Sequence, residues 1–263
     1  MKAAYLPAVS LALALGAPVY AQQPQSPPGT TIGSTGLQQA PSTDQIKDRL
    51  GKAGVEDRKE FKGRLVRAAS PEGHPVLLVI GPENMEGNKS LDNFSEDKIR
   101  GQLVRSGFRD IAFVQDPNLM RGKMDGDRAV LALAGDSGWR GSPGAATGRT
   151  PNRDRLTTDL EKVGLRDREE LKGKLVRAQG PDGQTMLLVL GPEDFKGGKS
   201  VDFSAGELTK FQQSGFRSAE VVQDVTLMRG KMDDMAVIAL AGQALTGSTS
   251  TMGAGSGTAP AGR

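Results

Sequence analysis

Arginine occupies the same position in each of four sequence repeats. Arg67, Arg121, Arg177 and Arg229 each follow a Leu-Val or Leu-Met pair. A guanidinium binds carboxylates and phosphates through paired hydrogen bonds, so this pattern indicates either cross-strand ion pairs with acidic residues or contact with an external anion or peptide carboxylate. On a strand, the leucine and the arginine of each repeat point to one face, and we expect that sheet face to be exposed.

Three other stretches resemble catalytic motifs without their partners. His74 is the only histidine and lies at a hairpin turn, where the second half of the chain has Gln184, so it is predicted to be an exposed turn residue. The sequence GDSG at 135–138 resembles a protease nucleophile loop but follows no histidine in a β-barrel pattern. GKS at 198–200 resembles the end of a phosphate-binding loop, but Glu193 replaces the required glycine. We therefore expect no catalytic residues and no enzyme activity.

Acidic pairs and a single tryptophan are the remaining candidates for ligand contacts. The acidic pairs are Glu83 with Glu86, Asp125 with Asp127, Glu193 with Asp194, and Asp233 with Asp234. Basic residues lie between them and no EF-hand spacing occurs, which favours solvated turns over a cation site. Trp139 lies in a predicted linker. It is either an anchor for a partner or an incidental exposed residue. We expect neither a metal nor a cofactor.

A duplicated hairpin positions two of the arginines. The segment 63–82, GRLVRAASPEGHPVLLVIGP, returns at 173–192 with 12 of 20 residues identical. Each copy has an alternating arm, a Pro-acid-Gly turn and a continuous apolar arm. This pattern predicts a β-hairpin whose second strand is buried on both faces.

Each half of the chain contains the same unit twice. Segments 115–125 and 223–233 match at 9 of 11 positions, and every unit begins with a short amphipathic helix that ends at a glycine. The predicted fold is α+β, with two domains of two αβββ units each and short helices packed on antiparallel sheet. We expect units one and two, and units three and four, to share a core and to fold independently.

The first 21 residues have a charged start, an apolar core and small residues before a cleavage site, so they predict a signal peptide removed after Ala21. We expect a periplasmic or secreted protein without a transmembrane segment. The expected segments are a signal peptide at 1–21, a disordered linker at 22–41, domains at 42–135 and 154–242, a linker at 136–153 and a disordered tail at 243–263.

Charge and composition restrict the partners. The net charge is only +3 and aromatic residues make up 4% of the chain, so neither a basic nucleic-acid surface nor stacking platforms are indicated. The chain has no cysteine, which leaves each domain to be stabilised by its apolar core.

The order of a helix ended by glycine, three antiparallel strands and a final Gly-Pro resembles the PepSY family of exported α+β modules. The resemblance covers 44–135 and 154–242, with GPEN at 81–84 and GPED at 191–194 in place of the family's terminal Asp-x-x-Thr-Gly-Glu turn. It implies a regulatory or binding module of the cell envelope, associated with protease inhibition or, in some members, metal binding. The chain is more weakly similar to SPOR domains, which have two strands per helix.

These observations favour an exported, non-catalytic binding module. It would recognise an envelope protein, a peptide or an anionic envelope component through sheet faces or edges, with no nucleic acid involved. The alternatives are a structural or stress-related envelope spacer and, less favoured, a cation-binding periplasmic protein.

Overall fold

The computed structural model describes residues 42–83, 85, 91, 94–134, 152–196, 200–242 and 245. A helix followed by three strands occurs four times, as the sequence predicts. The first half contains α1 (Thr43–Lys52), β1 (Val55–Glu60), β2 (Arg64–Ala69), β3 (Pro75–Gly81), α2 (Glu96–Arg105), β4 (Arg109–Val114), β5 (Asn118–Met124) and β6 (Arg128–Ala134). The second contains α3 (Arg153–Lys162), β7 (Arg166–Glu170), β8 (Lys174–Gln179), β9 (Thr185–Gly191), a 3-10 turn (Glu193–Phe195), α4 (Ala205–Gln213), β10 (Ser218–Val222), β11 (Thr226–Met232) and β12 (Met235–Ala241).

The helices begin where side chains satisfy their free amide groups. In α1, the Ser42 hydroxyl accepts a hydrogen bond from the Gln45 amide at 3.3 Å, and the Gln45 side chain accepts one from the Ser42 amide at 3.1 Å. Ser204 and Glu207 form the same capping box at α4. The Ser-x-x-Gln and Ser-x-x-Glu spacing by itself predicts both boxes, since this pattern satisfies two unpaired donors at once.

The strands form two antiparallel sheets of six, which confirms the α+β class with helices packed on sheet. The first sheet has the order β1-β5-β6-β9-β8-β10, and the second has the order β4-β2-β3-β12-β11-β7. The second and third strands of every unit remain a hairpin. The first strand instead pairs with the hairpin of the neighbouring unit, as β1 does with β5 and β4 with β2.

Each sheet takes three strands from each half of the chain. In the first sheet, β6 pairs with β9 from Ala129 opposite Gly191 to Ala134 opposite Met186. In the second, β3 pairs with β12 from Val76 opposite Ala241 to Gly81 opposite Ala236. The expectation that each half has a sheet and core of its own is therefore wrong. Without the other half, the apolar strands β3 and β6 would be bare sheet edges, with unpaired backbone groups.

The sheets and helices stack in four layers. The inner core lies between the two sheets and includes Leu65, Leu131, Leu175 and Ile238, each no more than 1% exposed. Helices α1 and α4 cover the outer face of the first sheet, and α2 and α3 cover that of the second. The central strands are therefore buried on both faces, which their continuous apolar sequence predicted.

Charge and backbone irregularity protect the outermost strands. The edge strands β1, β4 and β7 each contain an aspartate with a positive φ, at Asp57 (48°), Asp110 (53°) and Asp167 (48°). The pairing register of all three strands shifts near that residue. Unit four has Ser218 at this position, and β10 pairs without a shift. Bulged, charged edges of this kind oppose pairing with another chain.

The leucine, first methionine and glycine of the repeated sequence LMRGKMD pack in different places. Leu119 and Leu227 enter the inner core, whereas Met120 and Met228 pack under the helices. Gly122 and Gly230 lie against the bulged edge strand. A Cβ atom at Gly122 would be 2.8 Å from the carbonyl oxygen of Glu56. The glycine is required because the backbone of β1 passes too close for any side chain.

Replacing Gly122 by alanine should therefore lower the free energy of unfolding by about 1 to 3 kcal/mol, since backbone atoms must move to admit the methyl group. Gly101 in α2 is the matched control, because a Cβ there meets no atom within 4 Å. Gly101→Ala should stabilise the protein by about 0.5 to 1 kcal/mol through helix propensity. Urea denaturation measures both changes. Equal or same-sign effects would contradict the proposed close approach of β1.

Candidate functional site

A cleft of about 170 Å³ lies between the two sheets, where the loops after β3 and β9 meet. Two arginines reach it, one from each half of the chain: Arg121 from β5 in the first sheet and Arg229 from β11 in the second. The other lining residues are Glu83, Met85, Asp194, Phe195, Lys196, Ala236 and Ile238. The site therefore combines cations, carboxylates and an apolar wall, and neither half could form it alone.

Strand alternation directs both arginines inward. Leu119 and Leu227, two residues before each arginine, belong to the core between the sheets. The predicted shared face of leucine and arginine is thus correct, but its predicted exposure is wrong. This face packs against the opposite sheet, so Arg121 is 5% exposed and Arg67, Arg177 and Arg229 are half-buried.

Asp194 neutralises the buried arginine. The Nη2 atom of Arg121 donates a hydrogen bond to the carboxylate of Asp194, which is 49% exposed. Asp194 and the following Phe195 both have a φ of 53°, a left-handed conformation that non-glycine residues seldom adopt. Phe195 is 2% exposed, and its buried ring anchors the turn that holds the carboxylate over the arginine. A buried guanidinium requires such a partner.

Arg229 has a different environment. Its Nη1 atom lies 3.5 Å from the carbonyl oxygen of Phe195, a long contact with a neutral acceptor. Glu169 is its neighbour on the adjacent strand β7. Among the residues that the structure describes, however, no carboxylate lies within the 4.0 Å that defines an ion pair with Arg229. The two equivalent arginines of the cleft thus differ in charge compensation.

Two lysines connect the halves beside the cleft. The Nζ atom of Lys231 lies 3.0 Å from the Glu83 carboxylate, and that of Lys123 lies 3.8 Å from Glu193. Lys123 and Lys231 occupy equivalent positions in the LMRGKMD repeats, and each pairs with the glutamate of the other half. This reciprocity shows that an approximate twofold relation between the halves passes through the cleft.

At least one member of each acidic pair that the sequence offered as a cation ligand is the partner of a basic residue. Asp125 pairs with Arg128 and Lys210, and Asp233 lies 2.6 Å from Lys98. In the described part of the chain, no three His, Asp or Glu side chains are close enough to hold a metal ion together. Glu86 lies outside the described residues.

The remaining two arginines do not line the cleft. Arg177 forms the expected cross-strand ion pair, with Nη1 3.1 Å from Glu220 on β10. Arg67, at the same position in the first half, has Ala112 as its neighbour, and its buried Nε has no hydrogen-bond acceptor among the described residues. Of the four repeated arginines, the structure thus brings only Arg121 and Arg229 together.

The other predicted candidates have mixed outcomes. His74 is 6% exposed, so the prediction of an exposed turn residue is wrong. Its Nε2 atom lies 3.4 Å from Glu72, and its backbone amide donates to the hydroxyl of the buried Ser70 at 3.1 Å. Trp139 and the segments 135–138 and 197–199 lie outside the described residues.

The sequence reasoning missed the cleft residues Lys196, Phe195 and Met85. Their signal was the Gly-Pro-Glu-Asx sequence after both β3 and β9, followed by an apolar residue at Met85 and Phe195. Repetition of this loop sequence in both halves indicates that the two loops have similar conformations at equivalent positions of the fold. In the sequence, only the acidic residues of these loops were considered, as ligands of a cation.

A second group of ion pairs connects the halves away from the cleft. Arg128 of the first half donates to Glu207 of the second and to its own neighbour Asp125. Burial alone raises the pKa of the Glu207 carboxyl, but hydrogen bonds with Arg128 and Ser204 outweigh it and lower this pKa from 4.5 to about 2. Arg49 likewise lies 3.1 Å from Asp182, across the halves.

Comparisons of the chain with protein-family models, curated proteins and solved structures found no match. The similarity to PepSY and SPOR modules therefore stays a prediction from the sequence pattern. Among the described helices, none is long and apolar enough to cross a membrane.

The ion pair of Glu207 gives an acid-sensitive contribution to stability. Because the folded pKa is lowered, this contribution is complete above pH 4.5 and is lost as the pH falls towards 2. Glu207→Gln keeps the capping box and should lower the free energy of unfolding at pH 7 by about 2 kcal/mol. The difference from the unmodified protein should disappear near pH 2.

The control is Glu96→Gln, which changes an exposed glutamate in the first turn of α2. Its effect should not exceed about 0.5 kcal/mol. Denaturant titrations at several pH values measure both variants. If Glu207→Gln lowers the free energy of unfolding by the same amount at pH 7 and pH 2, the ion-pair explanation is refuted.

Proposed function

We propose that this chain is an exported, non-catalytic binding module of the cell envelope, which takes an anionic group of its partner into the cleft between the sheets. The convergence of Arg121 and Arg229 on one cleft is the observation that carries the proposal. Guanidinium groups held at a partly dehydrated site bind anions more strongly than exposed ones, because competing water is reduced.

The cleft replaces the sheet faces as the recognition surface. Helices cover the outer face of each sheet, and the inner faces pack against one another. Among the described residues, Val104 is the only large apolar side chain that is exposed, at 58%. A broad apolar docking patch is therefore not supported on this part of the surface, whereas a small polar site with an apolar wall is.

The sequence supports the export part of the proposal. Residues 1–21 have the composition of a cleaved signal peptide, and residues 22–41 have that of a disordered linker before the folded part. The chemistry of the cleft also suits binding. Arg121 is paired with Asp194, whereas the hydrogen bond of Arg229 is a long one to the carbonyl oxygen of Phe195. An anion can bind to such a guanidinium by ion pairing, without a reaction at a covalent bond.

An envelope spacer is the second candidate, and the ion pairs between the halves favour it. Three ion pairs connect the halves at separate places: Arg49 with Asp182, Arg128 with Glu207, and Lys231 with Glu83. A body braced in this way would keep two attached segments at a fixed separation. For a spacer, the arginines of the cleft would matter only for stability.

Loss of one cleft arginine separates the two candidates. Mature chain comprising residues 22–263 is used as bait in envelope extract, as the unmodified sequence, as Arg229→Gln and as Arg177→Gln. Arg229→Gln should reduce partner recovery at least about tenfold, because one charge-assisted hydrogen-bond pair is removed. Recovery by the unmodified bait should also fall as salt rises.

Arg177→Gln is the matched control, since it removes the same side chain from an equivalent strand position outside the cleft. Its ion pair with Glu220 is at the surface and contributes no more than about 1 kcal/mol, so this bait should stay folded and active. Equal recovery with folded Arg229→Gln would exclude the cleft as the recognition site and favour the spacer.

A further inference from the structure

We propose that β10, an edge strand of the first sheet, binds an extended peptide segment of a partner protein as an added antiparallel strand. This interaction surface is separate from the cleft and goes beyond the function proposed for it. The inference follows from the differences between β10 and the other three edge strands.

The edge strands β1, β4 and β7 resist the addition of another strand. Each contains an aspartate with a positive φ, and the pairing register of each shifts near that residue. Charged residues fill five of the six positions of β1 and all five positions of β7. An added strand would have to follow a bent backbone and desolvate these charges, which is unfavourable.

Arginine side chains also bind carbonyl groups at these three edges. In each case a guanidinium donates to a main-chain carbonyl in the edge strand or next to it. The pairs are Arg58 with Val55 (2.9 Å), Arg168 with Leu165 (2.9 Å) and Arg100 with Ile111 (3.0 Å). A carbonyl that already accepts from a guanidinium is a poorer acceptor for an incoming strand.

The strand β10 differs from these edges in regularity and in charge. Its register with β8 runs without a break from Ser218 to Val222. Glu220 is the only charged residue in its sequence SAEVV, and Arg177 on β8 neutralises that carboxylate at 3.1 Å. A regular edge strand of low net charge is the kind to which another strand adds.

The side chains of β10 determine which residues an added strand would need. On one face of the sheet, Ala219 and Val221 pack in the apolar cluster under α1 and α4. On the other face, Glu220 lies opposite Arg177. Because side chains alternate along a strand, an added strand would place two apolar residues beside Ala219 and Val221, and the residue between them beside Glu220.

Glu220 favours a basic residue at that middle position. Its side chain is 54% exposed, so its carboxylate can accept hydrogen bonds from a second cation as well as from Arg177. Oppositely charged residues on neighbouring strands stabilise the pair, and like charges destabilise it. The partner segment should therefore contain an apolar, a basic and an apolar residue in succession.

A second copy of the chain fits this edge less well than a peptide does. Two β10 strands paired over their full length around a twofold axis would place Glu220 opposite Glu220, which is unfavourable. A strand of this length spans only about 17 Å, whereas a stable dimer buries about 1,200 to 2,000 Å². A peptide, in contrast, obtains affinity from main-chain hydrogen bonds to a short edge.

The experiment titrates isotope-labelled mature chain, residues 22–263, with the peptide acetyl-Thr-Val-Lys-Val-Thr-amide and follows the backbone amides by NMR. The chemical shift changes should concentrate at residues 218–222. A second peptide, with glutamate in place of lysine, should bind at least about threefold more weakly, because it places a like charge beside Glu220.

Glu220→Gln removes the charge that distinguishes the two peptides. The ion pair of Glu220 with Arg177 is at the surface, so this variant should fold, and it should no longer prefer the lysine peptide. Glu60→Gln is the matched control, because Glu60 is an exposed glutamate on the irregular edge strand β1. It should bind both peptides as the unmodified chain does.

A third peptide tests whether main-chain pairing carries the binding. It is N-methylated at the lysine and at the valine that follows. Successive amides of a strand point to opposite sides, so one of the two methylated amides must face β10. This peptide should bind at least about fivefold more weakly than the unmethylated one, because a strand hydrogen bond is lost.

Each result supports or overturns the inference without bearing on the cleft. Shift changes at β1, β4 or β7 instead of β10, or no binding of the lysine peptide at millimolar concentration, would show that β10 is not the receiving edge. Equal binding of the methylated peptide would exclude an added strand. A lysine preference that survives in Glu220→Gln would refute the charge contact. Dimerisation of the free chain through β10 would assign the edge to a second copy and overturn the peptide assignment.

Discussion

Backbone pairing between the two halves of the chain is the constraint on which the rest of the structure depends. In each half, the most apolar strands are β3 and β6, or β9 and β12, and they are buried on both faces by helices and by the opposite sheet. Such strands also need a hydrogen-bonded neighbour on each side, since unpaired amide and carbonyl groups at an apolar edge are costly. In this structure the other half supplies these neighbours. Pairing β6 with β9 and β3 with β12 completes both sheets and brings the two halves together at the cleft.

Duplication then allowed equivalent positions to diverge. Four arginines occupy one strand position, yet two reach the cleft, one pairs with Glu220 and one has Ala112 in place of that acid. The bulge of the edge strands similarly occurs in the three units with aspartate and is missing from the unit with Ser218. In both cases the fold stays the same while one side chain changes the local chemistry.

Local features were predictable because they depend on neighbours in the sequence. Helix caps such as Ser42, the Pro-acid-Gly turns and the common face of Leu65 and Arg67 follow from spacing and alternation. The partner of each sheet could not be predicted in this way. Four similar units have strands with similar apolar patterns, so several strand pairings fit the sequence equally well. Alternation of apolar and polar residues indicates that one face of a strand is buried, but it does not indicate which element covers that face. For this reason Arg121 was expected at an exposed face, and the loop residues that complete the cleft were not connected with it.

The two halves form one folded body and build the cleft jointly. The most direct measurement is the state of the isolated first half, residues 42–135, by light scattering and circular dichroism. Because β9 is the counterpart of β3 and β12 that of β6, the account predicts no folded monomer. The half should instead form a dimer, in which β3 of one copy pairs with β6 of the other, or stay unfolded at concentrations too low for pairing. A folded monomer with a cooperative thermal transition would contradict the account.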